Sequence, residues 1–191
     1  MAAPARRPGA ERAPRYRAAV TRFDLRALRL PSGGQAREQV EIALEPLLLG
    51  GQAYEQRPNP VPAELTVTRA SSGTVFELVL EVTVDGPCVR CLAAAELPLA
   101  LRLREYQAAR AETEELASEY LADDRLDLSR WAGDAVALAL PDKILCRPGC
   151  AGLCPRCGRD LNLDPHEHAA SDVDPRWAAL EALREPEQPA R

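Results

Sequence analysis

A chain of 191 residues with 46% hydrophobic content can bury one core and a small appended module, but not two full-sized domains. Its net charge of -5 argues against a generally basic nucleic-acid-coating domain, and no apolar run approaches the ~20 residues that span a bilayer. Aromatic residues make up only 4%, so Leu, Val and Ala must build the core, and a bound ion could add stability that packing does not supply.

The charge is unevenly spread. Residues 1–30 hold eight arginines against Glu11 and Asp24, a local balance of +6 that leaves -11 for the remainder. MAAPARRPGAERAPRYRAAV has no apolar segment behind its arginines, so it does not read as a secretory signal and a cytoplasmic protein is expected. In that reducing compartment paired cysteines more often mean metal than disulfide. Residues 1–20 read as a disordered Arg-rich arm, and such an arm could gain order on phosphate-rich RNA.

After the arm, FDLRALRL suits a short helix or strand, and PSGG a turn or loop. EQVEIALEPLLLG reads as one strand ending near Gly50 and Gly51, and Pro-rich RPNPVP bridges onward. Glu64 to Arg69 alternates apolar and polar. Beyond a turn at Ser71, Ser72 and Gly73, a strict period of two places Phe76, Leu78, Leu80, Val82 and Val84 on one face. The pattern returns with Leu97, Leu99, Leu101 and Leu103 against Ala100, Arg102 and Arg104. These runs predict half-buried antiparallel strands, with DGPCVRC at the tip of a hairpin.

Gln107 to Asp127 is acidic and reads as a solvated connection or helix face, not as paired-carboxylate catalysis. A helix follows, capped by Asp127 or Ser129, with Leu128, Trp131, Ala132, Ala135 and Ala139 at helical spacing and Pro141 as its stop. Trp131 is read as core in preference to a platform for a nucleobase. A last helix is expected from Asp174, with Pro175 in its first turn and Trp177, Leu180 and Leu183 ready to dock on the body or on a partner. The fold class is α+β: an antiparallel β-sheet or partly open barrel with a few helices and a C-terminal zinc-knuckle module. Residues 1–20 are the arm, 21–145 the β-rich body with its core helix near 127–140, 146–185 the zinc-binding module and C-terminal helix, and 186–191 a tail.

The six cysteines form three short-spaced pairs: Cys88 and Cys91, Cys146 and Cys150, and Cys154 and Cys157. His166 and His168 follow, completing eight candidate ligands, the arithmetic of two four-coordinate zinc ions. A two-residue gap lets both thiolates of a knuckle reach one ion. In CPRCG, Pro155 stiffens the turn and Gly158 can take the positive φ that follows it. The preferred grouping joins Cys88, Cys91, Cys146 and Cys150 around one ion, and Cys154, Cys157, His166 and His168 around a second. A local grouping of Cys146, Cys150, Cys154 and Cys157 is the alternative.

PCVRCL at a strand turn, an acidic helix ending in LALPDKILC, then CAGLCPRCGRDLN and DPRWAALEAL resemble the YceD-like family of large ribosomal RNA subunit accumulation proteins, over roughly residues 20 to 185. The resemblance implies a bacterial or plastid factor needed for accumulation of large-subunit (23S) rRNA, without an assigned catalytic activity. Many relatives carry two further cysteines where this chain has PHEH, a change of residue type that keeps metal-ligand chemistry.

The leading reading is therefore a non-enzymatic ribosome biogenesis factor with structural zinc sites. Its expected partners are the large ribosomal subunit precursor, rRNA or a ribosomal protein; neither membrane nor small-molecule substrate is expected. A thiol-disulfide oxidoreductase using Cys88 and Cys91 would want them at a helix start, not a hairpin tip. A zinc-dependent hydrolase would need an open coordination position and a general base, and HExxH is absent. A zinc module binding nucleic acid in transcription is disfavoured by the acidic body.

Overall fold

The computed structural model describes residues 21–109 and 117–168. The expected arm, residues 110–116 of the acidic segment, the expected helix from Asp174 and the tail lie outside the described residues. The chain divides into two compact units, one ending at Cys150 and the other beginning at Ala151.

The first unit contains β1 (Arg22–Asp24), a 3-10 helix (Leu25–Leu28), β2 (Gln35–Ile42), β3 (Leu47–Leu49), β4 (Gln52–Arg57) and β5 (Val61–Arg69). It continues with β6 (Gly73–Pro87), β7 (Ala94–Ala108), β8 (Leu121–Ala122), β9 (Arg125–Asp127) and α1 (Leu128–Ala139). The long strand β6 is the spine of an open antiparallel sheet. β7 pairs with it along its whole length, from Gly73 opposite Ala108 to Pro87 opposite Ala94. Its other edge is shared end to end by β5 and β4, with β2 outside β5 and β3 outside β4.

Side chains on a strand alternate between faces, so the period-two pattern sends Phe76, Leu78, Leu80, Val82 and Val84 into the core with Val61, Ala63, Leu65 and Val67 of β5. The β7 leucines pack half-buried against them, and Ala100, Arg102 and Arg104 face solvent. Helix α1 covers the core with Leu128, Trp131, Ala132 and Val136. Ala135 is only half-buried and Ala139 is exposed, because the stripe of buried positions runs through 128, 132 and 136 at i, i+4. Asp127 is the cap, accepting from Arg130 N. Ser129, the other candidate, ties the helix start to the sheet: its hydroxyl donates to Ala43 O and accepts from Thr21 N. Trp131 is buried and stacks on Tyr120 with ring centroids 6.2 Å apart, so its face is not open to a base.

Three expectations need correction. FDLRALRL is neither strand nor helix alone but β1 followed by the 3-10 turn. EQVEIALEPLLLG is two strands, because Asn59 clamps the backbone of Leu44 between them, accepting from Leu44 N at 3.1 Å and donating to Leu44 O at 2.8 Å, while Pro46 has no N–H for a ladder. The described end of the acidic segment is not a plain connection: it forms the β8–β9 hairpin, turned at Asp123 and Asp124 with φ of 52° and 61°, and β9 also pairs with β1. Aspartate tolerates that left-handed backbone better than most residues.

The end of β6 is braced by Tyr54 of β4. Its ring lies against Gly86, its hydroxyl donates to Pro87 O at 2.8 Å, and the residue is 2% exposed. A Cβ added at Gly86 would overlap the Tyr54 ring, which the core leaves no room to move. Gly86→Ala is expected to cost about 2 kcal/mol, in the range of overpacked cores, measured by urea unfolding. An unchanged midpoint would show that Tyr54 does not brace this strand end.

Candidate metal centre

Pro87 ends β6, and the chain turns back into β7 through a knuckle in which Leu92 N donates to Cys88 O and Cys88 N to Ala93 O, at 3.0 and 2.7 Å. Leu92 closes it in a left-handed conformation with φ of 62°. The knuckle is held to the segment beyond α1 by Val89 N donating to Ile144 O at 3.0 Å and by Arg90 Nη1 donating to Cys150 O at 2.6 Å. Across that seam Cys88 Sγ lies 3.8 Å from Cys150 Sγ, and Cys91 Sγ lies 3.5 Å from Cys146 Sγ.

All four sulfurs lie within 4.8 Å of one another, and none of the six cysteines is joined in a disulfide. Four sulfurs at about 2.3 Å from a tetrahedral zinc sit about 3.8 Å apart, so the site already has the span of a filled one. Its protonation pattern points the same way. Burial pushes the Cys88 thiol up, but backbone N–H groups of Cys91, Cys146 and Arg90 together bring it down to about 6. Cys146 is pushed up to about 12, first by its hydrogen bond with Cys91 and then by burial. Cys91 is raised as well: the Ala93 backbone draws it down, yet burial and the sulfurs of Cys150 and Cys88 outweigh that. Sulfurs this crowded cannot all ionise unaided, and a divalent cation removes the conflict.

The second unit builds another knuckle. Cys154 N donates to Arg159 O at 2.7 Å and Gly158 N to Cys154 O at 2.8 Å, with Gly158 at the φ of 72° expected from its position after the loop. Asp160 and Asn162 then turn the chain back: Asn162 N donates to Asp160 Oδ1, and Ala151 N donates to Asn162 Oδ1, both at 2.8 Å. This turn brings PHEH to the cysteines. His166 Nε2 lies 3.1 Å from Cys157 Sγ, while its Nδ1–H donates to Asp164 O at 2.7 Å. That backbone bond selects the tautomer whose lone pair faces the sulfurs, the usual support of a metal-bound histidine. The same bond and the Cys154 sulfur raise the His166 pKa, and Cys154 is drawn down to about 6, led by the Cys157 backbone N–H.

Cys154, Cys157, His166 and His168 offer donor atoms all within 4.8 Å of one another, so each unit contains one four-donor group that could hold a metal ion. Thiolate and imidazole donors in fours suit zinc. The groups differ in shielding. Cys88 and Cys150 are fully buried and Cys91 nearly so, whereas Cys157 and His168 are exposed. The supporting contacts of Arg90, Ile144, Asp160 and Asn162 were not anticipated; of these, only the Asp-Leu-Asn run carries a turn signal that spacing alone reveals.

The sequence model of the family described as large ribosomal RNA subunit accumulation protein YceD matches residues 76–184, from β6 through both donor groups. Uncharacterized proteins of Mycobacterium tuberculosis and Mycobacterium bovis are 35% identical over 130 residues, 65% of this chain and 62% of theirs. One from Mycobacterium leprae is 32% identical over 135 residues, 68% of this chain and 62% of its own. The chain thus spans 62% of the length of these relatives. No solved structure matches it significantly.

Elemental analysis of purified protein is expected to find about two zinc ions per chain, one for each group. Cys88→Ser with Cys91→Ser should lose about one equivalent and keep the other; loss of both together would contradict independent sites. With a chromophoric chelator, zinc release should be biphasic, the second unit's group, with Cys157 and His168 exposed, emptying first. A single phase would show that burial does not distinguish them.

Proposed function

Because the chain belongs to the family of large ribosomal RNA subunit accumulation proteins, we propose that it is a non-enzymatic ribosome biogenesis factor that supports accumulation or assembly of the large subunit and its 23S rRNA. What supports the scaffold reading is that every cysteine and histidine in the chain falls in one of two four-donor groups that could hold a metal ion. A four-donor structural zinc site is closed, whereas catalytic zinc keeps a position for water or substrate. The two ions then hold together a surface that binds the subunit precursor. Among the described residues no helix is long and apolar enough to cross a membrane, and we place the factor with ribosomes in the cytoplasm.

The acidic balance beyond residue 30 favours a basic ribosomal protein as one partner, and the Arg-rich first thirty residues favour rRNA as another. The enzymatic alternatives have less support. Cys88 has the lowered pKa of a reactive thiol, but it is 0% exposed and faces three other sulfurs, so it suits a ligand better than a redox nucleophile.

Sedimentation of cell extract through a sucrose gradient, with antibody detection, should place the protein with large-subunit precursors, and its depletion should lower mature 23S rRNA. Protein confined to the top of the gradient with unchanged rRNA would overturn the assembly reading.

A further inference from the structure

At the end of the β6–β7 ladder opposite to the cysteine knuckle, a cleft of about 450 Å³ opens between the 3-10 helix and the ends of β5, β6 and β7. Arg26, Arg29 and Arg69 line it, with Thr74 and Gln107 as neutral polar groups. The carboxylate in its wall, Asp124, is committed to Arg26 at 3.0 Å. Among the described residues Arg29 and Arg69 have no carboxylate partner, which is equally true of Arg90, Arg102, Arg104, Arg125, Arg147 and Arg156; what sets these two apart is that they line the same cleft. Two uncompensated guanidiniums thus face one cleft in a chain whose net charge is -5.

The local sequence LRALRL explains the arrangement. Leu25, Leu28 and Leu30 pack against the core and anchor the turn, which leaves Arg26 and Arg29 exposed. Arg29 occupies a left-handed backbone position, φ 45°, that glycine would take without strain.

Guanidinium forks match the oxygens of a phosphate, and the cleft is large enough for more than an inorganic ion, with Leu28 and Leu121 as an apolar wall. We propose that this cleft binds single-stranded RNA, Arg29 and Arg69 gripping a backbone phosphate while the adjoining nucleoside lies against the leucine wall. The proposal rests on the ribosome-assembly reading and adds to it a place where RNA is held.

The test is fluorescence anisotropy of a short labelled single-stranded RNA with the full-length, zinc-loaded protein across a potassium chloride series. Arg29→Gly and Arg69→Gln should each weaken binding about tenfold, as loss of charge-assisted hydrogen bonds to phosphate does. Each should also lower the slope of log affinity against log salt by about 0.7 per phosphate contact removed. Arg29→Gly should melt no lower than the parent, since it relieves backbone strain, so weaker binding could not be put down to unfolding. Arg102→Gln, on the solvent face of β7 and outside the cleft, should bind as the parent does. Unchanged affinity and slope in both cleft variants would overturn the proposal, as would calorimetric binding of inorganic phosphate that depends on Arg29 while RNA binding does not. Co-sedimentation with large-subunit precursors, combined with RNA binding that ignores Arg29 and Arg69, would refute the cleft alone and leave the assembly reading standing.

Discussion

The structure of the first unit depends on the seam between the β6–β7 knuckle and the segment that follows α1. Two backbone-directed hydrogen bonds, from Val89 N and Arg90 Nη1, bring together four sulfurs separated by up to 62 positions in sequence. Without a cation the seam would be a liability: buried thiols compete for protons, with Cys88 driven down and Cys146 driven up. With one, the same crowding becomes a cross-link between the end of the sheet and the end of the helix, and its binding energy is folding energy. That compensates a core poor in aromatic residues, whose fully buried side chains are mostly aliphatic.

The sheet delivers the knuckle to that seam. Unbroken pairing of β6 with β7 fixes the register of the hairpin tip, and Tyr54 over Gly86 keeps the last residues of β6 from shifting. Antiparallel pairing sets side chains on alternate faces, so a slip of one residue would turn the β6 apolar row out to solvent. The core therefore guards the geometry of the first donor group. The second group relies on local turns instead, built by Gly158, Asp160 and Asn162, which fits its smaller unit and greater exposure. The proposed RNA cleft lies at the other end of the β6–β7 ladder from the knuckle, so one strand pair positions both features.

Much of this was legible in the sequence where a single physical rule dominates. The period of two from Phe76 to Val84 reflects a strand with one buried face, and the residues it marks are the buried ones. Likewise Asp127 before an apolar stripe reads as a cap and is one. What stayed hidden depends on partners far along the chain. The break in the EQVEIALEPLLLG run comes from the Asn59 side chain binding Leu44, which no periodicity carries. β4 carries no apolar alternation, because its two inward side chains are Tyr54 and the polar Gln56 while Ala53 faces out. The acidic residues near Asp123 looked like a solvated connection, yet β1 supplies the edge that makes β9 a strand. Cysteine spacing proposed two groupings, and only the meeting of Cys88 with Cys150 and of Cys157 with His166 shows which donors share a neighbourhood.

If both groups hold zinc, one ion is bound by four sulfurs and the other by two sulfurs and two nitrogens. X-ray absorption at the zinc edge of the purified protein measures this directly. The expected average shell is about three sulfurs at about 2.3 Å and one nitrogen at about 2.0–2.1 Å per zinc. A shell dominated by oxygen and nitrogen, or protein that takes up no zinc while its thiols remain reduced, would contradict it.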